Sequence, residues 1–172
     1  MRSLLACTLL TCLVTSCTYD PGTRDHEGLR SDGYIRYTYN GNNVILYDSI
    51  YGGDPAYFLL SGYYYRHDTL LILTGSTSQT DERINIELEN CLDTGIFDKG
   101  LYNASITQTT SKHTWYSDLK HAGQVHLTQF DTVNGLASGT FKFEAVTTNL
   151  PVRDSIFVDS GFFFHFPILM AQ

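Results

Sequence analysis

The side chains able to do chemistry in this 172-residue chain are scattered rather than gathered. A serine nucleophile on a Gly-x-Ser-x-Gly elbow is absent, and no Ser or Cys lies in an activating context. Cys91 is flanked by Glu87, Glu89 and Asp93, the opposite of the basic surroundings that favour a reactive thiolate. His113, His121 and His126 are near one another but lack the tight spacing of metal ligands. His126 alternates with Val125 and Leu127 and is expected to face solvent. Asp93-Thr94-Gly95 with Asp98 lacks the EF-hand ligand pattern and reads as an Asp-Gly turn. The other Asp residues also fall mainly in turns, where Asp is common for backbone reasons. The expectation is a chain that is not an enzyme, with no catalytic residues, metal or cofactor.

Aromatic residues offer another kind of chemistry. Tyr63-Tyr64-Tyr65 and Trp115-Tyr116 cannot all enter one core, because neighbours on a strand face opposite ways. Some rings must lie outside, or pair across strands on a sheet surface. A ring with a polar tip suits sugar or peptide recognition. Trp115, Tyr116, Tyr63 and Tyr65 are therefore candidate binding residues. Phe162 and Phe164 join them, because Phe162, Phe164 and Phe166 lie opposite Phe163 on an alternating strand. If Phe163 is core, those three rings form an outer stripe, and large exposed apolar patches tend to mark contacts. A bulge at Gly161 would instead reverse the parity and send the even-numbered rings inward, as Ile156 and Val158 suggest.

The elements that must position these residues are strands. Ile35, Tyr37 and Tyr39 alternate with Arg36 and Thr38, and Asn40-Gly41 is a hairpin turn leading to Val44–Tyr47. Tyr57–Tyr65 and Leu70–Leu73 are apolar runs that read as central strands covered on both faces. Gly75–Glu82 reads as a polar turn. Ile84, Ile86 and Leu88 alternate with polar residues. Cys91–Gly100 reads as a loop with Ile96 and Phe97 tucked inward. Further strands are expected at Leu101–Ile106, Lys112–Tyr116, around Val125 and Leu127, at Ala137–Ala145 and at Ser155–Phe166. No segment has a convincing helical period. About ten short strands with regular turns predict an all-β domain, an antiparallel β-sandwich; a closed up-and-down or lipocalin-like barrel is the alternative.

The chain opens differently. Met1-Arg2 supplies a positive charge, and Leu4–Val14 is apolar but too short to span a bilayer as a helix. Val14-Thr15-Ser16-Cys17 resembles the lipobox of bacterial lipoproteins. The resemblance implies cleavage before Cys17, acylation of its thiol and amine with palmitate-like chains, and anchorage through that residue. The other reading is an ordinary signal peptide with a chance cysteine. Residues 1–16 are thus expected as signal peptide, 17–33 as a flexible acidic tether, and 34–172 as one β-domain. With Cys7 and Cys12 removed and Cys17 acylated, Cys91 is left without a disulfide partner. The net charge of −7 becomes more negative when Arg2 leaves, which argues against nucleic acid as a partner.

The domain itself also carries a resemblance. Tyr37-Thr38-Tyr39-Asn40-Gly41, Ile84-Asn85-Ile86-Glu87-Leu88, Gly100-Leu101-Tyr102, Gly123-Gln124-Val125-His126-Leu127, Gly135–Phe143 and Gly161-Phe162-Phe163 follow in an order similar to small Bacteroidota lipoproteins of unknown function. This similarity implies an all-β lipoprotein domain and transfers no site residues. Asp48-Ser49-Ile50, Asp68-Thr69-Leu70, Asp131-Thr132-Val133 and Asp154-Ser155-Ile156 resemble the O-glycosylation acceptor of exported Bacteroidota proteins. This makes Ser49, Thr69, Thr132 and Ser155 candidate modification sites. The combined expectation is a lipid-anchored, outer-membrane domain of a Gram-negative envelope, on the periplasmic or surface face, that binds a glycan or protein. The alternatives are an accessory of an outer-membrane complex or a barrel-type carrier of a small apolar ligand.

Overall fold

Alternation of apolar and polar side chains commits most of the chain to strands with one buried face. The computed structural model describes residues 33–47, 60–76, 82–98, 102–108, 111–117, 123–147 and 154–171. The leader, Cys17, most of the tether, Ser49 and His121 lie outside them. The described residues form eleven strands: β1 (Tyr34–Tyr39), β2 (Asn42–Tyr47), β3 (Leu60–Tyr65), β4 (Leu70–Ser76), β5 (Glu82–Leu88), β6 (Gly95–Asp98), β7 (Tyr102–Gln108), β8 (His113–Tyr116), β9 (Gly123–Asp131), β10 (Leu136–Thr147) and β11 (Ser155–Ala171). The Asn40-Gly41 turn between β1 and β2 has φ of 47° and 79°, so both residues adopt the left-handed conformation that this tight hairpin requires.

The strand pairings divide into two layers. One runs β2-β1-β11-β10-β9-β6 and the other β3-β4-β5-β7-β8. They join at two places. The last residues of β11, Ile168–Ala171, pair with Gly62–Tyr65 of β3, and Val146 and Thr147 of β10 pair with Tyr116 and Trp115 of β8. The layers face each other across one core. The Cβ position of Gly75 on β4 is 3.0 Å from both Ile35 and Leu46, and Tyr64 of β3 meets Phe130 of β9 edge-on at 4.9 Å. The all-β expectation holds: the two layers belong to one continuous sheet hydrogen-bonded shut at two corners, which shares features with both the expected sandwich and its closed-barrel alternative. Every pairing is antiparallel except β11 with β3, which is parallel because β11 runs on past β1 and crosses to the other layer.

Several local expectations are corrected. Gly95–Asp98 is a strand rather than loop; Phe97 is buried but Ile96 is exposed, since strand neighbours point to opposite faces. β3 and β4 are covered on one face only: Leu60, Tyr64, Leu71 and Leu73 are buried, whereas Tyr63 is exposed and Ile72 half-buried. Glu82, assigned to a turn, is the buried first residue of β5.

β11 changes parity twice, and this controls its aromatic residues. Ile156 and Val158 point inward. The register then slips, so that Tyr39 and Phe143 pair with Val158 while Tyr37 and Phe141 pair with Gly161. That bulge before Gly161 makes Phe163 core and turns Phe162 and Phe164 outward. A second irregularity falls at His165, whose φ is 44° and whose amide donates to Ser138 Oγ at 3.0 Å. It returns Phe166 and Ile168 to the core. The outer-stripe reading is thus met for Phe162 and Phe164 and corrected for Phe166; the bulge is present, but it turns the even-numbered rings outward instead of inward, and Phe166 is buried by the second irregularity.

Candidate functional site

The outer face of the β2-β1-β11-β10-β9-β6 layer collects aromatic residues from three strands. Tyr34 pairs with Tyr47 on one side and Phe164 on the other, while Arg36 in the next row lies between Ile45 and Phe162. The Tyr34 ring sits 6.2 Å from Tyr47 and 5.8 Å from each of Phe162 and Phe164. Phe162 and Phe164 stack with centroids 6.2 Å apart and planes 16° from parallel, and His165 stacks on Phe164 at 3.8 Å. The second row continues from Phe162 through Thr140 and His126 to Ile96. Tyr47 is 56% exposed, Ile45 and Ile96 are also exposed, and Tyr34, Phe162 and Phe164 are half-buried. The mutual packing of the rings explains that partial burial: each ring covers its neighbour.

The outer face of the β3-β4-β5-β7-β8 layer has another chemistry. One row reads Tyr63, Ile72, Glu87, Asn103, and the next Ser61, Thr74, Asn85, Ser105, Tyr116. Thr74 Oγ1 donates to Asn85 Oδ1 at 2.9 Å, and Asn85 Nδ2 donates to Glu87 Oε1 at 2.8 Å. Farther along, Thr107 Oγ1 donates to Thr114 Oγ1 at 3.2 Å. This surface is a ladder of oriented hydroxyl, amide and carboxyl groups with a tyrosine toward either side.

The aromatic candidates do not converge. Trp115 faces the core, and its Nε1–H donates to Asp154 Oδ2 at 3.2 Å, so it is not available as a sugar platform. The parity of β8 forces this, since Trp115 shares its inward direction with Ile106 opposite it. Tyr116 consequently points out and is 49% exposed. Tyr63 is 40% exposed and Tyr65 half-buried, but β3 and β8 are four strand spacings apart, about 19 Å. Phe162 and Phe164 are on the opposite layer and belong to the aromatic cluster.

Among the modification candidates, Ser155 is exposed at the start of β11, while Thr69 and Thr132 are half-buried in turns. Thr69 Oγ1 is engaged with the Asp68 carbonyl at 2.7 Å. Thr132 lies in the β9–β10 turn, where Asp131 Oδ1 accepts from the amides of Val133 and Asn134. These bonds hold the Asp131 carboxyl below its usual range. Cys91 is buried, and burial followed by the charge of Asp93 pushes its thiol up to about 12. His126 is exposed, as expected. Among the described residues no group of three His, Cys, Asp or Glu is placed to hold a metal.

One cluster escaped the sequence reading. Glu82, 4% exposed, accepts hydrogen bonds from Tyr37 Oη on Oε1 and from Tyr39 Oη on Oε2, the latter at 3.1 Å. Gln108 Nε2 in turn donates to Tyr39 Oη at 3.0 Å. Burial foremost, then the charge of Glu82 and its hydrogen bond, raise both phenols above their ordinary value. The signal was present: Glu82 shares parity with Ile84, Ile86 and Leu88, and Tyr37 and Tyr39 share it with Ile35. The cluster ties β1 to β5 and β7 across the sandwich.

Comparison with curated proteins and with solved structures finds no match to the chain. A family model described as a domain of unknown function (DUF6252) matches residues 62–167, from within β3 to the crossover segment of β11. That span is more than half of the sequence, and the chain therefore belongs to this family.

Proposed function

We propose that this chain is a non-catalytic lipoprotein, anchored through Cys17 in the outer membrane of a Bacteroidota-type envelope, whose β-sandwich binds a glycan there. The anchor reading is supported by the order of charge, apolar run and lipobox at residues 1–17. The observation that carries the binding reading is the ladder on β4 and β5. Thr74, Asn85 and Glu87 are oriented by one another, with Tyr63 in the row of Glu87. A hydroxyl-rich ligand needs such fixed donors and acceptors beside a ring. Stacked aromatic residues on the other layer favour a second reading, an accessory that docks on an envelope protein through Phe162 and Phe164.

Two measurements test the proposal. Labelled palmitate fed to cells is expected to enter the native chain and not the Cys17→Ser variant; an unlabelled native chain removes the anchor. Purified envelope polysaccharide, cast into a native gel, is expected to retard the chain, with retardation lost on Glu87→Ala and Tyr63→Ala. Unchanged mobility of the parent chain removes the glycan. Co-purification of an envelope protein that is lost on Phe164→Asp would support the accessory reading in its place.

A further inference from the structure

We propose that the aromatic face of the β2-β1-β11-β10-β9-β6 layer lies on the membrane surface, at the boundary between lipid headgroups and acyl chains. This rests on the reading of Cys17 as an anchor. The first argument is where the anchored segment joins the fold. It enters at Tyr34, the first residue of β1, and Tyr34 is also the centre of the aromatic cluster, within 6.2 Å of Tyr47 and 5.8 Å of Phe162 and Phe164. The residues between Cys17 and Tyr34 span at most about 60 Å when fully extended. The tether therefore leaves the domain from this patch and holds it within reach of the bilayer.

The second argument is charge. The rows Tyr47, Tyr34, Phe164 and Ile45, Arg36, Phe162, Thr140, His126, Ile96, together with His165, contain one arginine, two histidines and no carboxylate. This is in a chain whose net charge is −7. Headgroup phosphates would meet no repelling group in these two rows; the next row adds Lys142 with Asp98, and Glu144 stands one row beyond, whereas the opposite layer presents Glu87 in its central row. The third argument is composition. Tyrosine, with an apolar body and a hydroxyl tip, is at home at the membrane–water interface, and phenylalanine and isoleucine add apolar area to the same surface. The rings already pack on one another, so little side-chain freedom remains to be lost on contact. Seated this way, the domain turns the Thr74–Asn85–Glu87 ladder away from the membrane, toward the ligand.

The test separates this orientation from the anchor. Residues 17–172 contain the eleven described strands, and with Cys91 buried a maleimide phospholipid is directed to Cys17 as the remaining cysteine. The coupled chain is placed in phosphatidylethanolamine–phosphatidylglycerol vesicles with or without brominated acyl chains, and tryptophan fluorescence is compared with that of the parent. Added emission from Phe162→Trp is expected to fall at least about twofold in brominated vesicles, the depth of an interfacial aromatic residue. Added emission from Tyr116→Trp, on the other layer, is expected to be the same in both. Ile45→Trp, exposed in the same row as Phe162, gives the same readout if Phe162→Trp does not fold. Equal quenching at both faces, or quenching only at Tyr116→Trp, overturns the proposal. So does an unquenched aromatic face, whether it is free, covered by a second copy or occupied by carbohydrate. Because coupling is chemical, failure of palmitate labelling in cells leaves this result standing, and failure here leaves the acylation result standing.

Discussion

The two outer faces of the sandwich grow from the same strand pattern and share one core, yet they differ in kind. Inward positions of both layers carry interchangeable aliphatic and aromatic residues: Ile35, Tyr37 and Phe163 on one side, Leu73, Ile84 and Ile106 on the other. Outward positions diverge. One layer shows stacked rings with an arginine and histidines, the other a hydrogen-bonded row of threonine, asparagine and glutamate. Core positions are constrained by the need to exclude water and fill space. The outward ones are free of that demand, so the contrast between the faces is where the chain's particular role is written.

If both faces are surfaces on one cooperative core, the largest effects should come from positions beneath them. A side chain at Gly161 would place its Cβ 2.2 Å from the Phe141 ring, directly under the aromatic face. Gly161→Val is expected to destabilise by about 3 kcal/mol or more, lowering the urea midpoint and abolishing both binding properties together. Gly95→Ala, where nothing lies within 4 Å of the added carbon, is the control and should change stability by less than about 0.5 kcal/mol. Loss of one face with retention of the other in Gly161→Val would mean that the layers are not coupled.

Next is the cluster that crosses the core. Glu82→Ala strands the hydroxyls of Tyr37 and Tyr39 without their acceptor and is expected to cost about 2–4 kcal/mol. Glu82→Gln keeps an acceptor and should cost about half as much. Equal losses in the two variants would show that side-chain volume matters here rather than hydrogen bonding.

The pH dependence follows from groups protected on the inside. Tyr37, Tyr39, Tyr102 and Cys91 all have raised values in the fold, with Tyr102 and Cys91 pushed up to about 12, chiefly by burial. A group raised in the native state stabilises fully below its unfolded value, and that contribution disappears as pH climbs through the folded one. From neutral pH, stability should therefore be flat to pH 9, the ordinary value for Cys91, and fall between pH 9 and about 12. Cys91→Ala should delay the start of the fall toward pH 10, where the tyrosines begin. Urea midpoints measured across this range check it, and a fall that begins at neutral pH would contradict the assignment.

Substitutions on the faces themselves should have the smallest effect on folding and the most selective one on binding. Phe162→Ser and Phe164→Ser, half-buried, are expected to cost about 1 kcal/mol each and to weaken membrane contact without touching polysaccharide binding. Glu87→Ala should cost under about 0.5 kcal/mol and do the reverse. Cross-effects, with a ring substitution abolishing polysaccharide retardation, would collapse the division between the faces.

The fold class was legible because period two is written plainly in segments such as Ile84–Leu88 and Ala137–Ala145, and the Asn40-Gly41 turn has one favoured geometry. Parity was harder. A bulge shifts every later side chain to the other face, and β11 shifts twice, so Phe163 and Phe166 both enter the core although they are three apart. Trp115 and Tyr116 could be told apart only once Thr147 and Val146 fixed the register of β8 against β10. Glu82 was legible from parity yet masked by its polar neighbours, because a charged residue next to a turn signal is ordinarily solvated. The parallel crossing of β11 to β3 left no local mark at all, since it depends on how two distant segments meet.

Tyrosine labelling on intact native membranes tests the division most directly, because each face carries its own reporters. Tyr34 and Tyr47 stand on the aromatic side, Tyr63 and Tyr116 on the polar side. Brief hydroxyl-radical oxidation followed by peptide mass analysis is expected to modify Tyr63 and Tyr116 while sparing Tyr34 and Tyr47, with Tyr47 becoming reactive once the chain is released from lipid. If Tyr47, the most exposed of the four, is oxidised on the membrane as fast as Tyr63 and Tyr116, the aromatic face is open to water and the account is wrong.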